Sequence, residues 1–153
     1  MELVGAADVK PFKHLLVAVD GSEHGIEAAR VAVRLARALS ARLTLLTVYH
    51  PPSAALGEPN YSAALAHTLD EVRQILEHAS QAVREAGGPE PQTEGLGGSP
   101  AETIVSTAHE GDYDLIVMGT HGRGRLGTAL LGSVSSAVAA HAGRPVVVVG
   151  RAA

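Results

Sequence analysis

A glycine-rich segment in the last third of the chain carries the residue types best suited to chemistry. Residues 119–133 contain five glycines, two arginines and no acidic residue. Glycines let backbone amides approach an anion closely, and a helix start would add unpaired N–H groups and the positive end of a dipole. A strand predicted before the segment and a helix after it therefore indicate a phosphate site. A flexible surface loop is the alternative.

The distribution of charge supports an anion site in this part of the chain. The 153 residues include 12 basic and 16 acidic ones, a net charge of −4. All 16 acidic residues lie in 1–114 beside eight basic ones, which gives −8, and 115–153 carries +4 and no acid. The near-neutral total excludes a chain-wide nucleic-acid binder. We interpret the local +4 as a complement to phosphate; it comes from Arg123, Arg125, Arg144 and Arg151.

Composition and length limit the class of protein. The absence of cysteine excludes disulfides, thiolate metal sites and a cysteine nucleophile. No apolar run approaches the roughly 20 residues that a membrane span needs. We expect a soluble, cytoplasmic protein without a membrane or nucleic-acid partner. Its organisation is predicted as an N-terminal tail, 1–13, and one domain, 14–150.

The elements that position the glycine-rich segment alternate between strand and helix. Predicted strands cover 14–20, 42–49, 91–97, 114–119 and 145–149. Apolar positions predict helices between them, the longest with a stripe at Leu65, Leu69, Val72, Leu76, Ala79 and Val83. Strands that read as buried on both faces predict a parallel α/β sheet with helices on each side. Ligands of such sheets bind beyond the carboxyl ends of the strands, here after Asp20, Tyr49 and Gly119.

Two common phosphate fingerprints do not fit the segment. A P-loop needs a lysine, and no lysine follows Lys13. Residues 122–127 match G-x-G-x-x-G, but dinucleotide binding also needs an acid on a later strand, and nothing acidic follows Asp114. Both are rejected.

A third pattern fits. Gly119, Gly122 and Gly132-Ser133 reproduce G-2x-G-9x-G-[ST], and the chain from about 14 to 149 resembles ATP-binding members of the universal stress protein family. Residues 16–22 (LVAVDGS) and 145–149 (PVVVV) extend the resemblance. It implies a single-domain, open five-stranded parallel sheet of order 3-2-1-4-5, which is Rossmann-like or adenine nucleotide alpha hydrolase-like.

The resemblance also implies a set of nucleotide-binding residues: Val19, Asp20, Val48, Met118, Gly119, Gly122, Arg123, Gly132, Ser133, Val134 and Ser135. Asp20 would meet adenosine; a role in capping the turn before the first helix is compatible with the same geometry. Val48 and Met118 would line the base pocket, and both could equally be plain core residues. Gly119, Gly122, Gly132 and Ser133 would surround the ribose and the phosphates, and Val134 and Ser135 would supply amides from the helix start. Ser133 could cap that helix or give its hydroxyl to a phosphate.

The implied ligand is ATP, with Mg²⁺ or Mn²⁺ held by phosphate oxygens and water; neither catalytic residues nor a protein metal site are assigned. Arg123 could face the phosphates or solvent. We expect a nucleotide-dependent regulatory protein, with a slow ATPase or autophosphorylating enzyme and a nucleotide-independent interaction module as alternatives. The family also implies a homodimer formed through the last strand, 145–149.

Overall fold

The computed structural model describes residues 10–121 and 131–150, and they form five strands, four α-helices and a short 3-10 helix. Their order is β1 His14–Ala18, α1 Glu23–Leu39, β2 Arg42–Tyr49, the 3-10 helix Ala54–Leu56, α2 Asn60–Glu85, β3 Gln92–Gly97, α3 Pro100–Glu110, β4 Leu115–Gly119, α4 Ser133–His141 and β5 Val146–Val149.

The five strands form one parallel sheet of order β3-β2-β1-β4-β5. This confirms the predicted fold class and strand order. β1 lies in the centre, paired with β2 on one side and β4 on the other, so that the ends of these three strands are neighbours. The first strand is shorter than predicted and stops at Ala18, which places Asp20 in the turn that follows it.

Two layers of side chains cover the sheet. Residues that alternate along β1 point to opposite faces, as the pleat requires. Leu15 and Val17 pack with α1 and α2 on one face, and Leu16 packs with α3 and α4 on the other. The core consists mainly of Ala, Val, Leu and Ile, and this explains how a chain with 3% aromatic residues fills its interior.

Two details of the predicted burial are wrong. Every residue of β3, an edge strand of the sheet, is exposed. α2 contacts this strand closely at Gly95, where a Cβ would lie 2.6 Å from Val72 Cγ1. Leu69 was expected in the apolar stripe of α2 and is 43% exposed, whereas Val72 and Leu76 are buried. The 26 residues of α2 span about 39 Å at about 1.5 Å each, and the eight residues of β2 about 26 Å at about 3.3 Å each. The first part of α2 therefore extends past the sheet.

The amino end of the sheet, where the strands begin, is closed by charged side chains bonded to the main chain. The Asp114 carboxylate accepts the amides of Lys13 at 2.8 Å and His14 at 2.9 Å. Arg144, just before β5, donates Nη1 to the carbonyls of Ala108 and Tyr113, both at 2.7 Å. Arg144 therefore lies at the opposite end of the sheet from the glycine-rich segment, and its charge is not part of a phosphate complement there.

None of the helices in 10–121 and 131–150 combines the length and apolar character that crossing a bilayer requires.

Candidate functional site

A cavity of about 540 Å³ lies at the carboxyl end of the sheet, where β1, β2 and β4 stop. Nine of the eleven residues predicted for nucleotide binding line it: Val19, Asp20, Val48, Met118, Gly119, Gly132, Ser133, Val134 and Ser135. The other two, Gly122 and Arg123, lie outside the described residues. The structure thus brings together side chains and backbone from positions separated by more than a hundred residues in the chain.

Gly119 is required by close packing at the end of β4. A Cβ there would lie 2.7 Å from His24 Cβ and 3.0 Å from the His24 carbonyl oxygen. Real contacts of this kind essentially never fall below 3.0 Å, so a side chain would push the start of α1 away from the sheet. The first motif glycine therefore lets α1 begin directly against β4 and fixes one wall of the cavity.

Gly132 brings the start of α4 equally close to the same strand end. Its amide donates to the Thr120 carbonyl at 2.6 Å, and a Cβ on Gly132 would lie 2.8 Å from that oxygen. The φ of −76° is open to any residue, so the glycine is needed for space and not for an unusual backbone angle. Both glycines that the structure describes in the motif thus act by allowing a helix start to reach β4.

The structure corrects one of the two alternatives for Ser133. Gly132, in an extended conformation, occupies the N-cap, and Ser133 is the first residue of α4. Ser133 therefore does not cap the helix. It is exposed on the cavity wall, and the contact of its hydroxyl with a phosphate stays a prediction.

The N-terminus of α4 presents backbone donors to the cavity. The first bond within the helix runs from Ser136 N to Gly132 O at 3.0 Å, so the amides of 133–135 precede the intrahelical ladder. Among the described residues, no side chain caps this end. The sequence of the first turn, SVSS, contains no acid, so the positive end of the helix dipole is not neutralised locally. Such an end favours an anion.

Asp20 contributes a carboxylate to the cavity and also shapes the turn beneath it. Its Oδ1 accepts the amide of Ser22 at 3.0 Å and the Ser22 hydroxyl at 2.5 Å. Ser22 in turn caps α1 by accepting the Gly25 amide at 3.2 Å. Asp20 therefore caps the turn before α1, as the sequence suggested, and Ser22 is the N-cap of the helix itself.

The side of the cavity over β1, β2 and β4 is largely apolar. Val19 and Met118 are 4% and 5% exposed, and Val48 is half-buried against the core beneath α3 and α4. These residues are both core and cavity wall, so the two interpretations from the sequence do not exclude each other. Thr47 is buried among them and donates its hydroxyl to the Val19 carbonyl at 3.0 Å, which ties the end of β2 to the end of β1.

A wall that the sequence analysis missed comes from α2. Thr68, Glu71, Val72 and Ile75 line the cavity opposite the start of α4. Val72 and Ile75 also pack against the core, and the Glu71 carboxylate lies 3.3 Å from His67 Nε2. The spacing of three and four along a helix would have placed these four residues on one face. Nothing in the sequence showed that the face overlooks a cavity.

Two histidines meet beside the glycine-rich segment. The rings of His24 and His121 lie 5.8 Å apart between centroids, edge to face, and His121 Nδ1 is 3.2 Å from Thr120 Oγ1. Within the described ranges, His24 Nδ1 and His121 Nε2 are buried without a hydrogen-bond partner. The two rings thus pack the start of α1 against the residues that follow β4.

The fold and the cavity together define an open parallel α/β protein whose candidate ligand site lies at the carboxyl ends of its central strands. A family model described as Universal stress protein family matches residues 11–150. The chain belongs to the universal stress protein family.

Individual relatives agree with this assignment over nearly their whole length. The chain is 41% identical over 138 residues to a Thermus aquaticus protein named "Universal stress protein in QAH/OAS sulfhydrylase 3'region", covering 90% of this chain and 98% of the relative. The structure of universal stress protein UspA from Lactobacillus plantarum superposes with a TM-score of 0.78 at 30% identity, over 92% of this chain and 99% of the other. A universal stress protein solved in complex with cAMP gives 0.68 at 28% identity, over 92% and 98%.

Proposed function

We propose that this chain is an ATP-binding regulatory protein of the stress response, in which nucleotide occupancy alters shape or partner choice. The observation that carries the proposal is the cavity itself. It places the uncapped N-terminus of α4 and the Asp20 carboxylate in one space with an apolar wall. A polyanionic tail joined to a flat heterocycle matches that combination of surfaces.

The dimensions of the site suit a nucleotide. A volume of about 540 Å³ falls within the range of about 300–1,000 Å³ that is usual for small-molecule sites. The cavity extends from the start of α4 near β4, across β1, to α2 near β2. Neighbouring strands lie about 4.8 Å apart, so it crosses two such spacings. We propose that the phosphates lie at the α4 end, adenosine near Asp20, and the base against Val48 and Met118.

The remaining ligand contacts are also proposals. Gly122 and Arg123, which lie outside the described residues, are expected to approach the phosphates. Mg²⁺ or Mn²⁺ would accompany ATP, held by phosphate oxygens and water. Within 10–121 and 131–150, no three His, Asp or Glu side chains lie close enough together to hold a metal ion.

The relative solved with cAMP supports an adenine nucleotide as the class of ligand. That protein is 28% identical to this chain, and its ligand contains the adenosine part that we assign to Asp20, Val48 and Met118. It carries one cyclic phosphate, so the preference for a triphosphate rests on the helix start and the glycine-rich segment of this chain.

The edge strand β5 favours an additional role in assembly. It pairs with β4 on one side, and no other strand of the described residues pairs with its second side. An apolar edge strand of this kind invites pairing with another chain. We propose a homodimer through 145–149 and a cytoplasmic location. A dimeric interaction module that ignores nucleotide remains the alternative function.

Calorimetric titration tests nucleotide binding directly. ATP, AMP, cAMP and GTP would each be added to purified protein with MgCl₂. We expect saturable binding of the adenine nucleotides, with ATP the tightest. Absence of binding at millimolar ATP, together with no nucleotide released from freshly purified, denatured protein, would refute the proposal.

A second experiment separates regulation from catalysis at the same site. Incubation with γ-labelled ATP is expected to give little product above buffer. If product appears and Ser133→Ala abolishes it while the exposed Ser136→Ala does not, a slow ATPase or autophosphorylating enzyme replaces the regulatory proposal. Equal dimerisation, measured by sedimentation with and without ATP, would favour the nucleotide-independent module.

A further inference from the structure

Thr120 connects three elements through its main chain. Its amide donates to the Val149 carbonyl at the end of β5, at 3.0 Å. Its carbonyl accepts the Gly132 amide at 2.6 Å and the Ser135 hydroxyl at 2.8 Å. One residue at the end of β4 therefore holds both the start of α4 and the end of the edge strand.

Ser135 has a role beyond the amide that the sequence suggested. Its side chain is 2% exposed, and its hydroxyl also lies 3.2 Å from the Gly132 carbonyl. The hydroxyl carries a single hydrogen, and the shorter contact leads out of the helix to Thr120. The buried hydroxyl thus fastens the first turn of α4 to the end of β4.

We infer that Ser135 is a positioning residue for the phosphate end of the site. The inference rests on the proposed function, since it assigns the reason why the α4 amides point at the phosphates of a bound nucleotide. The bonds from Gly132 N and Ser135 Oγ reach the same oxygen from two positions of the first turn. Together they fix the translation and the tilt of the helix start, which a single bond would leave free.

The physical consequence concerns hydrogen-bond geometry. Bonds from backbone amides to a charged oxygen are short and weaken steeply when the angle falls. Without the Ser135 bond, the first turn of α4 gains freedom to tilt about the Gly132 contact. The amides of Ser133 and Val134 then lose alignment with the phosphates. The contacts proposed for adenosine come from Asp20 after β1, Val48 in β2 and Met118 in β4, and these residues do not move with this tilt.

Two ligands and a matched pair of variants test the inference. ATP and adenosine would be titrated, with MgCl₂, into the wild type, Ser135→Ala and Ser136→Ala. Ser136 lies one position further along the same helix and is exposed. We expect Ser135→Ala to weaken ATP binding about tenfold and adenosine binding less than twofold. A tenfold loss is the size expected when one hydrogen bond from a backbone amide to a phosphate loses its alignment. Ser136→Ala should match the wild type for both ligands.

The ratio of the two affinities separates positioning from a general structural role. A variant that only loosens the fold would weaken both ligands together or neither. If Ser135→Ala fails to fold by circular dichroism, Ser135→Cys supplies the measurement, because its thiol fills similar space with a weaker donor. An unchanged ATP-to-adenosine ratio in the folded variant refutes the inference alone. A wild type that binds neither ligand refutes the proposed function, and the inference with it.

Discussion

The two ends of the sheet are built by different means. At the amino end, charged side chains form the connections: the Asp114 carboxylate accepts the amides of Lys13 and His14, and Arg144 donates to the carbonyls of Ala108 and Tyr113. At the carboxyl end, main-chain groups and the hydroxyls of Ser22, Thr47 and Ser135 form the connections. The close approach of α1 and α4 to β4 there depends on the absence of side chains at Gly119 and Gly132.

Under the proposed function, this difference would place stabilising contacts at one end of the sheet and ligand binding at the other. Charged groups at the amino end are bonded within the protein, so little of their charge is left for a ligand. The carboxyl end leaves the α4 donors at a cavity, which the Asp20 carboxylate also lines while it is bonded to Ser22. Residues 115–153 carry a net charge of +4, but Arg144 contributes its part of that charge at the amino end of the sheet, where it stabilises the fold.

The largest expected effect comes from a side chain at Gly132. Gly132→Ala places a Cβ 2.8 Å from the Thr120 carbonyl, and backbone on both sides has to move. We expect a loss of about 1–3 kcal/mol in the free energy of unfolding, as for an overpacked interior site, and at least tenfold weaker ATP binding. Chemical denaturation and calorimetry measure the two effects.

Gly150→Ala is the control, since a Cβ there meets no atom within 4 Å and should change neither quantity measurably. If Gly132→Ala binds ATP with wild-type affinity, the comparison between the two ends fails, because ATP binding would then not need the close approach of α4 to the end of β4.

At the amino end, Arg144→Met should reduce stability and leave binding unchanged. The variant keeps much of the apolar stem but removes the donors to the Ala108 and Tyr113 carbonyls. Bonds of this charged type contribute about 1.5–3 kcal/mol, so we expect a loss of about 2 kcal/mol in the free energy of unfolding. ATP affinity should stay within twofold of the wild type. A tenfold weaker ATP affinity would show that the two ends are not independent.

Asp114 and Asp112 offer a matched pair at the same end. Both contact Lys10 Nζ, but the Asp114 side chain is 8% exposed and the Asp112 side chain 84%. Asp114→Ala also loses two amide bonds, and we expect about 1.5 kcal/mol lower stability. Asp112→Asn should unfold at nearly the wild-type denaturant concentration, because exposed ion pairs contribute little and asparagine tolerates the φ of 53° at this position. Equal losses would refute this account of the amino end.

The sequence predicted the sheet well because strand and helix periods are local signals. Continuous apolar runs in β1 and β4, and stop signals such as Gly87 and Pro89, are readable without knowledge of the fold. The exposure of β3 and Leu69 was not predictable in the same way. Whether a residue is covered depends on how far a long helix extends past the sheet, which only the assembled structure determines.

The site was predictable in its residue types but not in its connections. The motif glycines and Ser133 have a recognisable spacing, and the cavity positions of Gly119, Gly132 and Ser133 follow from the topology. Thr120 acts through its amide and carbonyl, which every residue carries, so no pattern of residue types indicates its role. Thr68 and Glu71 belong to a helix face that reads as ordinary solvent-exposed surface.

The smallest expected effect is a pH dependence of stability from the amino end. Burial, and then the nearby Arg42, lower the pKa of His14 below its ordinary 6.5, against the opposing charges of Asp114 and Asp112. The pKa of Asp114 is also lowered, from 3.8: burial opposes this shift, but the amides of Lys13 and His14 and the Lys10 ammonium outweigh it.

Both shifts have the same sign for stability. A group whose pKa is lower in the folded state binds fewer protons there than in the unfolded chain, so its stabilisation is present above the unfolded pKa and lost on acidification. Stability should therefore begin to fall below about pH 6.5 through His14 and fall again below about pH 4 through Asp114. His14→Gln should remove the first decline and keep the second, as measured by urea unfolding at half-unit pH steps. Arg42→Gln should make the first decline shallower, and a steeper one would show that burial and Arg42 do not act on His14 in the stated direction.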